Sequence, residues 1–327
     1  MGSVRAKNID IIKGITIILV VIGHYIPESA PNWYVEMRKV IYTFHMPLFL
    51  FVSGFVYAKF SNPEESRLSF YKKKIKRLMI PYLSTSLVVI LIKMSVDQLL
   101  SVENEVDYYS FVKIFYLPEA GYFLWYLWSL FTIFLIVPLS NTIPKKMVLL
   151  IVSLIIPHLP IEWTEMFAIK QTALMAQYFV VGMVIAGQYE LLKRITQKPS
   201  LLIPLLILLF GLLYSQMDSE NEILRWVCRA VIPYLGIYIM SLMAIVIGHG
   251  SSNIVSPILY LSSCSFIIYL FHTTFEGFAK AIIEKIVPIS FTLKAMVVVA
   301  CGVIFPMVLQ KRILEKSKVL KGLFGLK

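Results

Sequence analysis

The chain has 327 residues, 58% of them hydrophobic and 15% charged, with a mean hydropathy of +0.77. Soluble domains are nearer half apolar and a quarter charged, so this composition excludes a soluble globular protein and points to a polytopic membrane protein. The net charge of +12 is not a nucleic-acid footprint, because the basic residues gather in short loops between apolar runs, where they set orientation.

A spanning helix needs about 20 predominantly apolar residues. Ten candidate spans follow, at roughly 9–26, 41–60, 80–98, 121–139, 147–162, 170–188, 200–216, 224–247, 256–274 and 291–310. They predict an all-α, polytopic transmembrane helical bundle, one membrane domain over 1–327 with a basic tail at 310–327. The first run carries Asp10, Lys13 and His24 among apolar residues. On an α-helix Lys13 and His24 lie about three turns apart on one stripe, with Asp10 beside it. Ionisable groups in a spanning helix are costly unless they face a protein interior or a wet cavity, so by default they mark a functional site. The structural alternative is a buried polar pair that fixes helix packing. Asp10 and Lys13 also interrupt any signal-peptide core, so the run is read as retained.

Between the second and third spans lies the densest basic run, Tyr71 to Pro81, with Lys72, Lys73, Lys74, Lys76 and Arg77. It reads as an anchor on anionic lipid heads, or as a phosphate site for a nucleotide-bearing donor; both can hold together. The longest outer loop, about 99–120, is acidic and aromatic. Cys228, Cys264 and Cys301 fall in apolar runs without metal-ligand spacing and are read as packing residues. The tail from Lys311 to Lys327 alternates basic and apolar residues, as an interfacial amphipathic helix does. With both termini cytoplasmic, most of the 31 basic residues fall inside, while Glu103, Glu105, Asp107, Glu119, Asp218, Glu220 and Glu222 fall outside, as the positive-inside rule expects.

In this topology His24, His45 and His272 reach a similar depth near the outer ends of three spans. A lone histidine on an apolar face is more often a packing residue, and agreement among three weakens that view. No H-x-x-H or H-x-E spacing supports a metal, and none is expected. The third reading is acid–base catalysis, with a histidine taking the proton of a hydroxyl nucleophile. His158 and His249 are left aside as structural.

These motifs together resemble the acyltransferase 3 family of integral-membrane acyltransferases. The basic residue, ten intervening residues and histidine of that family's first helix are matched by Lys13 and His24. F-H-M-P-L-F-L-F-V-S-G-F from Phe44 to Phe55 is similar to its second-helix block, with F-H-M-P typical of the fucose 4-O-acetylase-like branch. K-K-x-K-R-L-x-x-P-Y from Lys73 to Tyr82, L-W-Y-L at Leu124–Leu127 and Y-L-F-H at Tyr269–His272 follow in the family's order. Lys13 stands where most of the family has Arg, and Thr273-Thr274 follow His272 where proline is common. Lysine lacks arginine's bidentate fork, so a charge carries over and not a geometry.

The resemblance implies transfer of an acyl group, most often acetyl from acetyl-CoA, to a hydroxyl of a cell-envelope sugar, in a multi-pass protein of the bacterial cytoplasmic (inner) membrane. On it, His24 is the general base, with Asp10 and Lys13 poising the stripe. Lys73, Lys76 and Arg77 bind the phosphates of acyl-CoA, a donor substrate rather than a bound cofactor, or nearby membrane lipids. His45 and His272 orient the acceptor or stabilise the oxyanion, and Trp125 and Tyr126 stack on sugar. An acyl-enzyme on His24 or Ser53 stays open, as do packing roles for Ser53, Trp125 and Tyr126. The implied partners are acyl-CoA, a glycan or lipid-linked sugar and membrane lipids; nucleic acid is not among them, and a homo-oligomer stays open. Two other classes compete: a transporter or flippase for a glycan or small solute, and a structural partner in an envelope assembly. The absence of a visible inverted repeat weighs against transport.

Overall fold

The computed structural model describes residues 2–27, 30–62, 64–96, 105–140, 142–187, 199–286 and 289–326. Among these residues the regular structure is entirely helical. In chain order the main helices are α1 (Gly2–His24), α2 (Asn32–Phe60), α3 (Arg67–Lys74), α4 (Ile80–Val96), α5 (Ser110–Lys113), α6 (Trp125–Ile136), α7 (Ile143–Ile155), α8 (Ile169–Gly187), α9 (Pro199–Tyr214), α10 (Glu222–Gly248), α11 (Ser252–Ile286), α12 (Phe291–Arg312) and α13 (Lys318–Leu323).

Among the described residues seven helical stretches are long and apolar enough to cross a membrane: Asn32–Phe60, Arg67–Val96, Tyr122–Leu139, Met166–Gly187, Glu222–Gly248, Ser252–Ile283 and Phe291–Lys316. Each of the ten expected runs contains helix, but three fall outside this set. α1 has 23 residues and carries Lys7, Asp10 and Lys13. α9 is a shorter apolar helix. α7 stops after 13 residues, where the chain passes into a 3-10 turn at Ile156–His158 that holds Pro157.

Helix ends follow local sequence. Asn221 caps α10 by accepting from the Ile223 and Leu224 amides, with Glu222 in the first turn. Ser66 accepts from Ser69 N at the start of α3, and Ser290 from Leu293 N at the start of α12. Each satisfies an amide that the first turn leaves without a helical acceptor. Between α3 and α4 the backbone passes through a π turn at Ile75–Met79, a wide turn often found at functional sites.

The chain forms two compact units, Met1–Lys59 with Val181–Tyr269, and Phe60–Val180 with Leu270–Lys327. In the first, glycines let backbones meet. A Cβ on Gly14 would collide with the Ile258 carbonyl of α11, and one on Gly182 with the Phe51 carbonyl of α2. Small residues at such crossings give the van der Waals contact that associates helices in lipid. In the second, Tyr82 is fully buried and its hydroxyl donates to the carbonyls of Ile114 and Leu117, both at 2.7 Å, tying α4 to the segment after α5. The C-terminal tail is part of this unit rather than only a surface helix. Leu314 and Phe324 are buried, and the Phe324 ring lies 5.4 Å from that of Phe271 on α11.

Candidate active site

In the first unit the site grows from α1. Asp10 and Lys13 form an ion pair at 2.8 Å, and Ser262 Oγ on α11 donates to Asp10 Oδ1 at 3.4 Å. One turn earlier, Lys7 Nζ donates to the Gly248 carbonyl at 2.8 Å, neutralising part of the negative end of α10. His24 is the last residue of α1, about 21 Å along the axis from Asp10 at 1.5 Å per residue.

The end of α1 is held from α2. Arg38 Nε donates to the Gly23 carbonyl at 2.8 Å, and the Tyr34 hydroxyl lies 3.0 Å from the Ile22 carbonyl and 3.4 Å from that of Tyr25. A helix leaves its last four carbonyls without intrahelical donors, so these two side chains complete the turn that carries His24. Tyr42, one turn past Arg38, sets its ring 6.3 Å from the His24 ring and 4.8 Å from that of His45. The Arg38 guanidinium sits 5.5 Å over the same ring, within cation–π range. His45 is 2% exposed, and its Nδ1–H donates to the Ile41 carbonyl at 2.9 Å.

Thus His24 and His45, predicted to share a depth, meet around Tyr42. Arg38, Tyr34 and Tyr42 were not among the expected site residues. The signal for Tyr34 and Arg38 was the polar N-terminal extension of α2, which begins at Asn32, well before the apolar run at 41; Tyr42 lies inside that run and was read as part of it.

In the second unit His272 is fully buried on α11, with the Phe123 ring edge-on at 5.1 Å. Trp125 and Tyr126 open α6 and are both 8% exposed, their rings perpendicular at 6.2 Å. That burial takes them out of a lipid-facing aromatic belt. One turn past His272, Glu276 is buried as well, and a further turn on, Lys280 is half-buried. The four-residue spacing puts all three on one face of α11.

The basic run divides by environment. Lys73 pairs with Glu65 at 2.6 Å. That pairing, with a hydrogen bond from Ser69, holds the Glu65 carboxyl below the usual carboxylate range. Lys74 lies over the rings of Phe134, at 3.5 Å, and Phe70, at 4.9 Å. Lys76 and Arg77, in the π turn, are exposed. Of the three expected anion ligands, Lys73 is therefore engaged by an acid, while Lys76 and Arg77 face outward. Among the described residues no three of His, Cys, Asp and Glu gather as a metal ion would require.

Comparison with known proteins gives these groups a context. The family model described as an acyltransferase domain, that of the acyltransferase 3 family, matches residues 6–310. The nodulation protein NolL of Sinorhizobium fredii (strain NBRC 101917 / NGR234) is 44% identical over 57 residues, 16% of this chain and 16% of that protein. The match thus spans under a fifth of that relative's length. No solved structure matches the chain. A family match over nearly the whole sequence establishes that this protein, whose described regular structure is entirely helical and includes seven stretches of membrane-spanning length, belongs to the acyltransferase 3 family.

Proposed function

We propose that the chain transfers an acyl group, acetyl in the first instance, from cytoplasmic acyl-CoA to a hydroxyl of an extracytoplasmic envelope sugar. The observation that carries this reading is His24 at the end of α1, its turn held by Arg38 and Tyr34 and its ring beside Tyr42, in a chain of the acyltransferase 3 family. Immobilising the turn that carries the base is what a general-base step requires, since proton abstraction depends on placement first and basicity second.

In the proposed step His24 takes the proton of the acceptor hydroxyl. The resulting oxygen nucleophile attacks the thioester carbonyl carbon, the C–S bond breaks, and the leaving thiolate recovers the proton from the imidazolium. General-base catalysis contributes about 10²–10⁴-fold. The Asp10–Lys13 pair poises the polar stripe. Lys76 and Arg77 take the phosphates of the donor, with Lys73 secondary because Glu65 already engages it. His272 stabilises the carbonyl oxygen as it gains charge, His45 steadies Tyr42, and Trp125 and Tyr126 shape the acceptor's approach. The reading places ten segments in the membrane, with the shorter helices α7 and α9 among them, both termini in the cytoplasm and the protein in a bacterial inner membrane. The fucose 4-O-acetylase-like branch belongs to the same reading, through Phe44–Pro47. Both compact units lie within a single membrane acyltransferase domain on this view, and the family match at 6–310, which includes residues of each, supports it.

The test is transfer from radiolabelled acetyl-CoA into envelope glycans, using membranes that contain the wild type or His24→Ala at matched expression. Incorporation by the wild type and its loss in the variant, by about 10²-fold or more, is the expected result. Equal incorporation in both would remove His24 as the base. No incorporation above an empty-vector background, with a range of acceptors supplied, would overturn the donor and acceptor named here.

A further inference from the structure

Glu276 is the one Asp, Glu, Lys or Arg among the described residues that the fold buries, at 5% exposure. It sits in an apolar helix long enough to cross a membrane. Withdrawing a carboxylate into such surroundings is expensive, and a chain that keeps one there ordinarily uses it. Its place on α11 indicates the use. His272, one turn earlier on the same face, is fully buried with the Phe123 ring packed edge-on against it, so its imidazole has little room to turn. Side chains four residues apart on a helix have Cβ atoms about 5–6 Å from each other. In a water-poor interior a charge at that distance acts strongly on its neighbour.

We infer that Glu276 is a positioning residue for acyl transfer: its carboxylate, one turn from His272, keeps that imidazole presenting an N–H. The inference rests on the reading of His272 as the group that stabilises the carbonyl oxygen. An oxyanion needs a donor already in place, and a donor that must first reorient or acquire a proton loses much of its value. A carboxylate one helical turn away on the same face favours the donating state, as a carboxylate partner does wherever it sets which imidazole nitrogen carries the proton. Lys280, half-buried a turn further on, continues the stripe and keeps its net charge small. Asp10 and Lys13 on α1 differ in being about a third or more exposed, so nothing comparable is demanded of them.

The experiment compares wild type, Glu276→Gln, Glu276→Asp, His272→Gln and the Glu276→Gln/His272→Gln double variant as purified, monodisperse protein in detergent. It measures acetyl transfer against acyl-CoA concentration, together with thermal unfolding. Glu276→Gln should lower kcat about 10- to 100-fold, the usual cost of losing a group that orients a functional histidine, with the KM for acyl-CoA unchanged. Glu276→Asp should recover part of that loss, and the double variant should be no worse than His272→Gln alone. Glu276→Gln should unfold at close to the wild-type temperature, because the amide keeps the volume of the carboxyl and can still hydrogen-bond. Full activity in Glu276→Gln, losses that multiply in the double variant, or a clearly less stable Glu276→Gln would each overturn the inference. A wild type that transfers nothing would count against the proposed donor and acceptor, and the stability comparison would then decide Glu276 by itself.

Discussion

The two compact units each carry a stripe of ionisable residues on an otherwise apolar helix, and they secure it by opposite means. In the first unit, Asp10, Lys13 and His24 lie on α1. The acid and base pair with each other, and the turn bearing the histidine is held by polar donors, Arg38 and Tyr34, aimed at its open carbonyls. In the second, His272, Glu276 and Lys280 lie on α11, where the histidine and the acid are buried. There the helix is held by rings, Phe123 against His272 and Phe324 against Phe271. Polar clamps position a side chain through a few directional contacts; aromatic packing positions it by removing space. The two kinds of support should therefore fail differently, loss of a polar clamp on α1 showing in activity before stability and loss of a packed ring on α11 in stability first.

The sharpest way to break that contrast is Phe324→Ala. Truncating a buried aromatic costs about 3–5 kcal/mol, transfer and cavity terms together. The variant should lose that much stability in a detergent unfolding titration, with transfer per folded molecule reduced far less. A Phe324→Ala protein as stable as the wild type would mean that the tail leaves α11 unsecured. Next in size is Arg38→Ala. Loss of a charge-assisted hydrogen bond costs about 1.5–3 kcal/mol, which corresponds to roughly 10- to 100-fold if all of it appears in the barrier. The expected result is a fall in kcat of that order at nearly unchanged unfolding temperature, since the Gly23 carbonyl lies at a helix end. Arg38→Lys should restore little, because an ammonium cannot both meet the carbonyl and lie flat over Tyr42.

How far the sequence revealed these stripes depended on where the apolar runs stopped. The membrane helices were legible because lipid demands that backbone groups pair within the segment, so a long apolar run has few alternatives to helix. Asp10, Lys13 and His24 were legible as a stripe because helical period alone puts them there. Arg38 and Glu276 were missed for one shared reason. The second expected span began at 41 and the ninth ended at 274, whereas α2 starts at Asn32 and α11 runs to Ile286. Hydropathy marks the part of a helix that lipid can surround, and the helix itself continues into polar sequence. α7 erred in the other direction: of the apolar run expected at 147–162 only 147–155 is α-helix, and the helix gives way to a 3-10 turn that holds Pro157. The separation of Lys73 from Lys76 and Arg77 could not be read from the run either, because it depends on Glu65 across a turn and on the backbone at Ile75–Met79.

The smallest expected effect is the most telling for α1. With side-chain exposures of 34% and 41% for Lys13 and Asp10, their ion pair is worth about 1 kcal/mol or less once screening and side-chain entropy are counted. Lys13→Met should therefore shift unfolding only slightly. Asp10→Asn should do the same, because Ser262 can still donate to the side-chain amide oxygen. If the pair served packing alone, transfer would follow stability and stay near the wild-type rate in both variants. If it poises the stripe that ends in His24, transfer should fall further than stability in each, and the double variant should fall no further than the worse of the two, because members of one charged unit are not additive. Activity that tracks unfolding temperature across all three proteins would reduce α1 to His24 alone and leave α11 as the helix whose charges matter to the reaction.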